Sequence, residues 1–298
     1  MPAVLQMLLG ATLISSAAIF VQLATVPPSV AGFWRMAFGG LFLMLWLYLR
    51  KQPLSGWRGR PLAMMLLSAA LFVADLWFWH RSIRWVGPGL STLLANFQVF
   101  LMAAFGVWWF GERLSWRFSA GLLLAFAGTA FLLLPNWSTW PPQFHLGVAY
   151  GFITAACYAG FMLTLKRAQA MPGGPSPASS VACVCVASSL LFAPLIALEG
   201  HSLAIPDQHN LWVLLAYGLI AQAAGWIAIA GSMPRLGAGM IGLLLLAQPT
   251  SAYLLDALIF KLHLRPYDMV GIGLALAGIF LGTTARQPAK SAPEAPAK

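Results

Sequence analysis

The sequence predicts an all-α polytopic membrane protein whose ten transmembrane helices form two inverted five-helix repeats. Three observations predict it. Apolar residues make up 60% of the 298 residues and charged residues only 8%, against about 45–50% and about 25% in soluble domains. The apolar residues fall in ten blocks, each long enough to cross roughly 30 Å of hydrocarbon as helix. The second half of the chain also matches the first at a constant offset of 150 residues.

The blocks follow in order. The first, residues 4–23, has no Lys or Arg before Arg35. It lacks the basic start of a signal peptide and is expected to remain as a helix. The second, 29–49, carries Arg35 with Ala31, Gly32 and Gly39 on its flank, small residues that let a neighbouring helix approach. The third, 61–80, carries Asp75 and, one turn on, Trp79, and places His80 at its solvated outer edge. The fourth, 86–110, opens on Gly87-Pro88-Gly89 and holds Gln98. The fifth is 117–135. The sixth, 145–165, holds Cys157 and Tyr158. The seventh, 178–198, holds Cys183 and Cys185, which point to nearly opposite faces of a helix. The eighth, 211–232, shows none of the alternation a barrel strand requires. The ninth, 237–260, opens on Gly237-Ala238-Gly239 and contains Gln248 and Asp256, and the tenth is 267–285. Residues 287–298, rich in Pro, Ala and Lys, read as a disordered tail. The expected units are 1–141 and 142–286.

Orientation follows from the basic residues. With the N-terminus inside, twelve Lys and Arg fall on the cytoplasmic side and four outside (Arg81, Arg84, Lys261 and Arg265). Both termini are then cytoplasmic, in a bacterial inner membrane. This bias accounts for the net charge of +10. The basic residues are scattered among loops, which excludes a nucleic-acid face. The cysteines have neither metal-ligand spacing nor a disulfide framework, so no metal and no cofactor are expected.

In the repeat, Ser82 falls on Ser232, Gly87 on Gly237, Gly89 on Gly239 and Gln98 on Gln248; Phe110 falls on Phe260, Gly121 on Gly271, Ala125 on Ala275 and Gly128 on Gly278. Five spans is an odd number, so the second copy enters the membrane from the opposite side. Inverted repeats of this kind build many secondary transporters, with the substrate near the midplane.

These residues also carry a resemblance. Gly87-Pro88-Gly89, Phe110-Gly111-Glu112-Arg113-Leu114, Gly121 and Ala127-Gly128 resemble the end of an EamA module of the drug/metabolite transporter superfamily. Gly237, Gln248-Pro249, Leu264, Gly271 and Ala277-Gly278 resemble a second copy. Within the superfamily the chain also resembles, less specifically, the YddG-type amino-acid exporters. The resemblance implies ten helices, a central cavity and ATP-independent export of small metabolites. The second copy departs from the first, with Lys261-Leu262-His263 where the first has Gly111-Glu112-Arg113. Gln98 stands where such modules usually have Pro, which loosens any standard substrate assignment. There is no Gly-x4-Gly-Lys-Ser/Thr loop, so energy is expected from a gradient.

Ionisable residues inside spans are functional candidates because each is costly in lipid. Arg35 and Asp75 are expected to pair about 8–9 Å below the outer surface, as a gate, as an anchor for a charged substrate group, or as a structural bridge. Asp256 is a coupling candidate, with protons as the coupling ion. Gln98 and Gln248, one per repeat at mid-span, offer amide donors and acceptors to a polar substrate, or hold helices together. Ser15, Ser16, Tyr158 and Trp79 are further candidates for the cavity wall. Glu112 is expected to tether a cytoplasmic turn. Five scattered His and three intramembrane charges assemble no catalytic cluster.

The expectation is therefore a monomeric exporter in the lipid bilayer, carrying a small-molecule substrate, an amino acid, by alternating access. Efflux of hydrophobic or cationic drugs is one alternative. A membrane-embedded protein without transport, or an enzyme, is another.

Overall fold

The computed structural model describes residues 2–102, 116–133, 138–232, 235, 244–245, 247–248, 251, 255, 258–259 and 266–283. Among the described residues there is helix and no strand. Lipid offers backbone groups no partners, so each span satisfies its own. The helices are α1 (Ala3–Ser15), α2 (Ala17–Leu23), α3 (Pro28–Leu49), α4 (Gly59–Val86), α5 (Pro88–Ala95), α6 (Trp116–Leu133), α7 (Pro142–Ala170), α8 (Pro177–Leu198), α9 (Gln208–Ala216), α10 (Trp226–Ser232) and α11 (Pro266–Thr283). A π-helical segment, Tyr217–Gly225, joins α9 to α10. Six units are long and apolar enough to cross a membrane: Ala3–Leu23, Pro28–Leu49, Gly59–Val86, Pro142–Ala170, Pro177–Leu198 and Gln208–Ser232. Shorter apolar helices cover Pro88–Met102, Ser119–Phe131 and Met269–Gly278. The chain is a polytopic membrane protein.

Helix starts are written in the sequence. Proline opens α3, α5, α7 and α8 at the position where its missing N–H costs nothing. Interruptions have local causes. The hydroxyls of Ser15 and Ser16 donate back to the carbonyls of Thr12 and Leu13, which divides α1 from α2. Gly87, at φ +86°, turns the chain between α4 and α5 in a conformation that favours glycine.

Two expected boundaries fall short: the sixth span, expected over 145–165, is helical from Pro142 to Ala170, and the third falls further short. The third span does not stop at residue 80; α4 continues to Val86. Arg81 and Arg84 belong to its last turns rather than to a loop. Arg84 donates to the carbonyls of Ala24 (2.6 Å) and Val26 (3.2 Å), and so fastens the α2–α3 connection. Asp75 therefore lies eleven residues from the end of its helix, about 16 Å along it, much deeper than expected.

Hydrogen bonds fix helix directions. Ser68, Asp75 and Ser82 of α4 bond in turn to Phe161, Thr154 and Gly147 of α7, so these two run antiparallel. Arg81 reaches both Ser29, at the start of α3, and Glu199, just past the end of α8, so α3 and α8 also run antiparallel. Glycines set the approach of α6 and α11 reciprocally. A Cβ on Gly128 would lie 2.7 Å from the Gly271 carbonyl oxygen, and one on Gly278 would lie 2.6 Å from that of Gly121. The largest core cluster joins α1, α3, α4, α7, α8, α9, the π segment and α10. Its centre is a stack of Phe72 on Phe161 (4.2 Å), with Trp226 edge-on to both.

Candidate functional site

Beside that stack lies a cavity. It is lined by Arg35 from α3, Phe72, Asp75 and Trp79 from α4, Asn96 and Gln98 after α5, Thr154 and Tyr158 from α7, Trp226 from α10, and Gln248. Its volume is about 50 Å³, room for roughly three to five waters at about 10–15 Å³ each. Four aromatic rings (Phe72, Trp79, Tyr158 and Trp226) form most of the apolar wall.

Its polar groups are left open. Among the described residues, seven buried side-chain N or O atoms have no hydrogen-bond partner. Five belong to cavity residues: Asn96 Oδ1, Gln98 Oε1, Tyr158 Oη, Trp226 Nε1 and Gln248 Nε2, of which Tyr158 and Gln248 interact with each other outside hydrogen-bond geometry. Asn96, Gln98, Trp226 and Gln248 are each at least nine-tenths buried. An unpaired buried polar group costs about 1–3 kcal/mol, so five facing one space call for an occupant. Trp226 and Gln248 offer donors, Asn96 and Gln98 acceptors, and Tyr158 either.

The backbone explains why Asn96 and Gln98 face inward. The helix after α5 breaks at Asn96–Phe97, where amides reach back to Thr92, Leu93 and Leu94. Asn96 Nδ2 donates to the Thr92 carbonyl (2.8 Å), leaving Oδ1 for the cavity. Helical structure resumes at Gln98.

Arg35 and Asp75 share the cavity but do not form the expected ion pair; no N–O approach within 4.0 Å links them. Arg35 Nε donates to Gln222 Oε1 (2.8 Å), and Nη1 donates to the Tyr217 hydroxyl (3.0 Å). Its guanidinium also sits over the rings of Tyr217 (4.9 Å), Phe72 (5.5 Å) and Trp79 (6.0 Å). The Arg35 partners are thus supplied by the π segment rather than by a carboxylate. The Asp75 carboxylate has no hydrogen bond among the described residues, although Asp75 is only 4% exposed. Such a charge in lipid costs at least a few kcal/mol.

Other expected positions fall differently. Ser15 and Ser16 bond within their own helix and do not line the cavity. His80 is not at a solvated edge. It is fully buried, with Nδ1 2.9 Å from the Pro28 carbonyl and Nε2 2.9 Å from the Tyr217 hydroxyl. Asp256, Glu112 and the Gly237–Gly239 turn lie outside the described residues. Asn96, Trp226, Tyr217 and Gln222 were missed. Their signal in the sequence is an amide or a ring with a polar atom in mid-span, weaker than a charge or an amide repeated in both halves.

Away from the cavity, Glu199 forms the one ion pair among the described residues, with Arg81 (2.8 Å), and accepts a hydrogen bond from Trp77 Nε1 (2.7 Å). Burial works to raise its pKa. Hydrogen bonds from Ser29 and Trp77, with the charges of Arg81 and His201, outweigh that and hold the carboxyl below its ordinary value. No group of three or more His, Cys, Asp or Glu suited to a metal occurs among the described residues.

Comparison with known proteins gives a consistent result. Residues 1–134 and 145–284 each match a model described as the EamA-like transporter family. The chain is 32% identical to an uncharacterized protein, PA1977, of Pseudomonas aeruginosa over 252 residues, covering 83% of this chain and 81% of that one. It is 26% identical to the uncharacterized transporter YwfM of Bacillus subtilis, covering 89% and 87% of the two chains. A crystal structure superposes with a TM-score of 0.71 at 21% identity, covering 94% of this chain and 96% of the other.

Proposed function

The chain belongs to the EamA-like transporter family, and on that premise we propose that it exports small zwitterionic metabolites, amino acids, by alternating access through the cavity described above. The observation that carries this reading is the set of five unpartnered polar atoms facing one space together with Asp75 and Arg35. An ammonium group finds the Asp75 carboxylate and aromatic faces, which attract cations. A carboxylate finds the Arg35 guanidinium, Trp226 Nε1 and Gln248 Nε2. A neutral substrate would leave both charges unused, and a simple ion would leave one.

In this reading ten helices form two inverted units, 1–141 and 142–286. Supporting it, the bounds of α6 and α11 differ by 150 residues at both ends, and their glycines meet reciprocally and antiparallel. Both termini face the cytoplasm of a bacterial inner membrane. The Arg81–Glu199 bridge then lies on the outer side and closes it in this conformer. Asp75, whose carboxylate has no hydrogen bond among the described residues, takes up a proton and serves as the coupling group. The protein works as a monomer, since each half contributes to the cavity wall.

Efflux of cationic drugs is favoured by one observation, a lone carboxylate among four aromatic rings. The cavity volume opposes it, since pockets for drug-sized ligands run to about 300–1,000 Å³.

The test is counterflow into liposomes holding the purified protein, with labelled amino acids and cationic dyes, with and without a pH gradient. The reading requires uptake of small amino acids that is lost in Gln98→Ala and Gln248→Ala variants that still fold. Dye uptake with no amino-acid uptake would favour the second reading, and uptake of neither would count against both.

A further inference from the structure

Arg35 is held by two residues that an α-helix would not bring together. Tyr217 and Gln222 are five apart. In an α-helix that spacing places side chains roughly 140° apart around the axis. In a π-helix, bonded i to i+5, the wider turn brings residues five apart much closer to one face. Tyr217–Gly225 is π-helical, so both side chains face the same guanidinium. Glycines make the approach possible. A Cβ on Gly39, one turn beyond Arg35, would lie 2.8 Å from Gln222 Cβ, and one on Gly218 would lie 2.9 Å from the Gly39 nitrogen.

The chain of hydrogen bonds around Arg35 has a single direction. The Pro28 carbonyl only accepts, so His80 Nδ1 carries the proton there, and in the neutral ring Nε2 is then an acceptor. The Tyr217 hydroxyl therefore donates to His80 Nε2 and keeps its lone pairs for Arg35 Nη1. On the other side Gln222 accepts from Arg35 Nε and donates to Cys185 Sγ (3.2 Å). Arg35, His80, Cys185, Tyr217 and Gln222 are all buried. Nη2 of Arg35 makes no hydrogen bond among the described residues and is left for the cavity.

We propose that Tyr217 and Gln222 are positioning residues that, through the π-helical register of their segment, hold the Arg35 guanidinium in place to receive the substrate carboxylate. The assignment of the carboxylate rests on the function proposed above; the clamp itself does not. Return of the segment to α-helix would carry Gln222 away from Tyr217 and free Arg35, so the same turn links the fixed cation of the cavity to movement of its helix.

The test uses the full chain in lipid nanodiscs and two independent measurements. The first is modification by phenylglyoxal, an arginine reagent, with Arg35 and Arg81 followed by mass spectrometry. Tyr217→Phe and Gln222→Met each remove one bond to Arg35, together with the bond that the same side chain makes to His80 or Cys185, with little change in shape. Both should raise the Arg35 to Arg81 modification ratio about fivefold or more. Gln222→Glu, which keeps an acceptor at that place, should stay within about twofold of the unmutated protein. An unchanged ratio in Tyr217→Phe overturns the clamp, and so does an equal rise in all three variants, which reports general loosening. The second is quenching of Trp79 and Trp226 fluorescence by L-alanine and by L-alaninamide, which lacks the carboxylate. Tyr217→Phe should weaken alanine binding about tenfold and alaninamide binding less than twofold; equal weakening of the two overturns the positioning role. If the unmutated protein binds neither while the labelling behaves as stated, the clamp stands and the zwitterion reading falls.

Discussion

Alanine at Gly128 or Gly278 should separate α6 from α11, and the two substitutions should behave as equivalents. Each new Cβ would lie 2.6–2.7 Å from a carbonyl oxygen of the facing helix and 2.8–2.9 Å from a facing Cα. An ordinary close C–O contact is about 3.3–3.6 Å, so the carbonyl contacts alone require the backbones to part by roughly 0.6–1 Å, and the backbone nitrogens of Ala275 and Ala125, nearer still, require more. The obstructing atoms are main chain and cannot move aside as a side-chain tip would. Overpacking of this kind costs about 1–3 kcal/mol. The better helix propensity of alanine offsets up to about 1 kcal/mol. A net loss of about 1–2 kcal/mol per variant is expected, read as a thermal midpoint in detergent lowered by several degrees, at roughly 2–4 °C per kcal/mol for a chain of this order. One outward displacement makes room for both new methyl groups, so the double variant should lose clearly less than the sum. If one variant is neutral while the other is costly, or if the two losses simply add, the reciprocal contact argued from these glycines is wrong.

Three further outcomes follow from the cavity and the ion pair. Asp75→Asn should abolish binding of both L-alanine and L-alaninamide while leaving the melting midpoint unchanged or higher, because no partner in the described structure depends on that carboxylate; a large drop in midpoint would reveal a structural role. Trp226→Phe keeps a ring edge-on to Phe161 but removes a donor, so alanine binding should weaken about five- to tenfold in a fluorescence titration with little change in melting. Glu199 has a pKa held below its ordinary value, so it contributes stability above about pH 4.5 that is lost as pH falls through the folded-state value. Melting curves between pH 6 and pH 3.5 should therefore fall more for the unmutated protein than for Glu199→Gln; parallel curves would show that the bridge to Arg81 contributes nothing.

Much of the architecture is legible in the sequence because the forces that set it are local or set by lipid. Long apolar blocks and Pro at helix starts place α3, α6 and α8 within a residue or two of their expected bounds. The end of α4 was not legible, since Arg81 and Arg84 resemble loop charges. Only the tertiary partners Glu199, Ala24 and Val26 make those turns stable as helix. The π segment was invisible for a related reason: its register answers to Gly39 and Arg35 on another helix, and no residue type within Tyr217–Gly225 announces it. For the site, rarity of charge in a span pointed to Arg35 and Asp75, and internal repetition pointed to Gln98 and Gln248; all four line one cavity. The rule that an intramembrane charge seeks the nearest opposite charge misled, because Gln222 and Tyr217 already satisfy Arg35. Ser15 and Ser16 misled for another reason: small hydroxyls in a helix readily bond to their own preceding turn.

The most direct measurement is access from each side of the membrane to position 95, a cavity-wall residue without a polar side chain. An Ala95→Cys variant, made with Cys157, Cys183 and Cys185 replaced by alanine, would be exposed to an impermeant thiol reagent in right-side-out and in inside-out vesicles. A cavity that opens alternately predicts labelling from both sides, slowed by millimolar L-alanine in each case. Labelling from one side only, or from neither, or at rates that alanine does not change, would contradict a substrate path through this cavity.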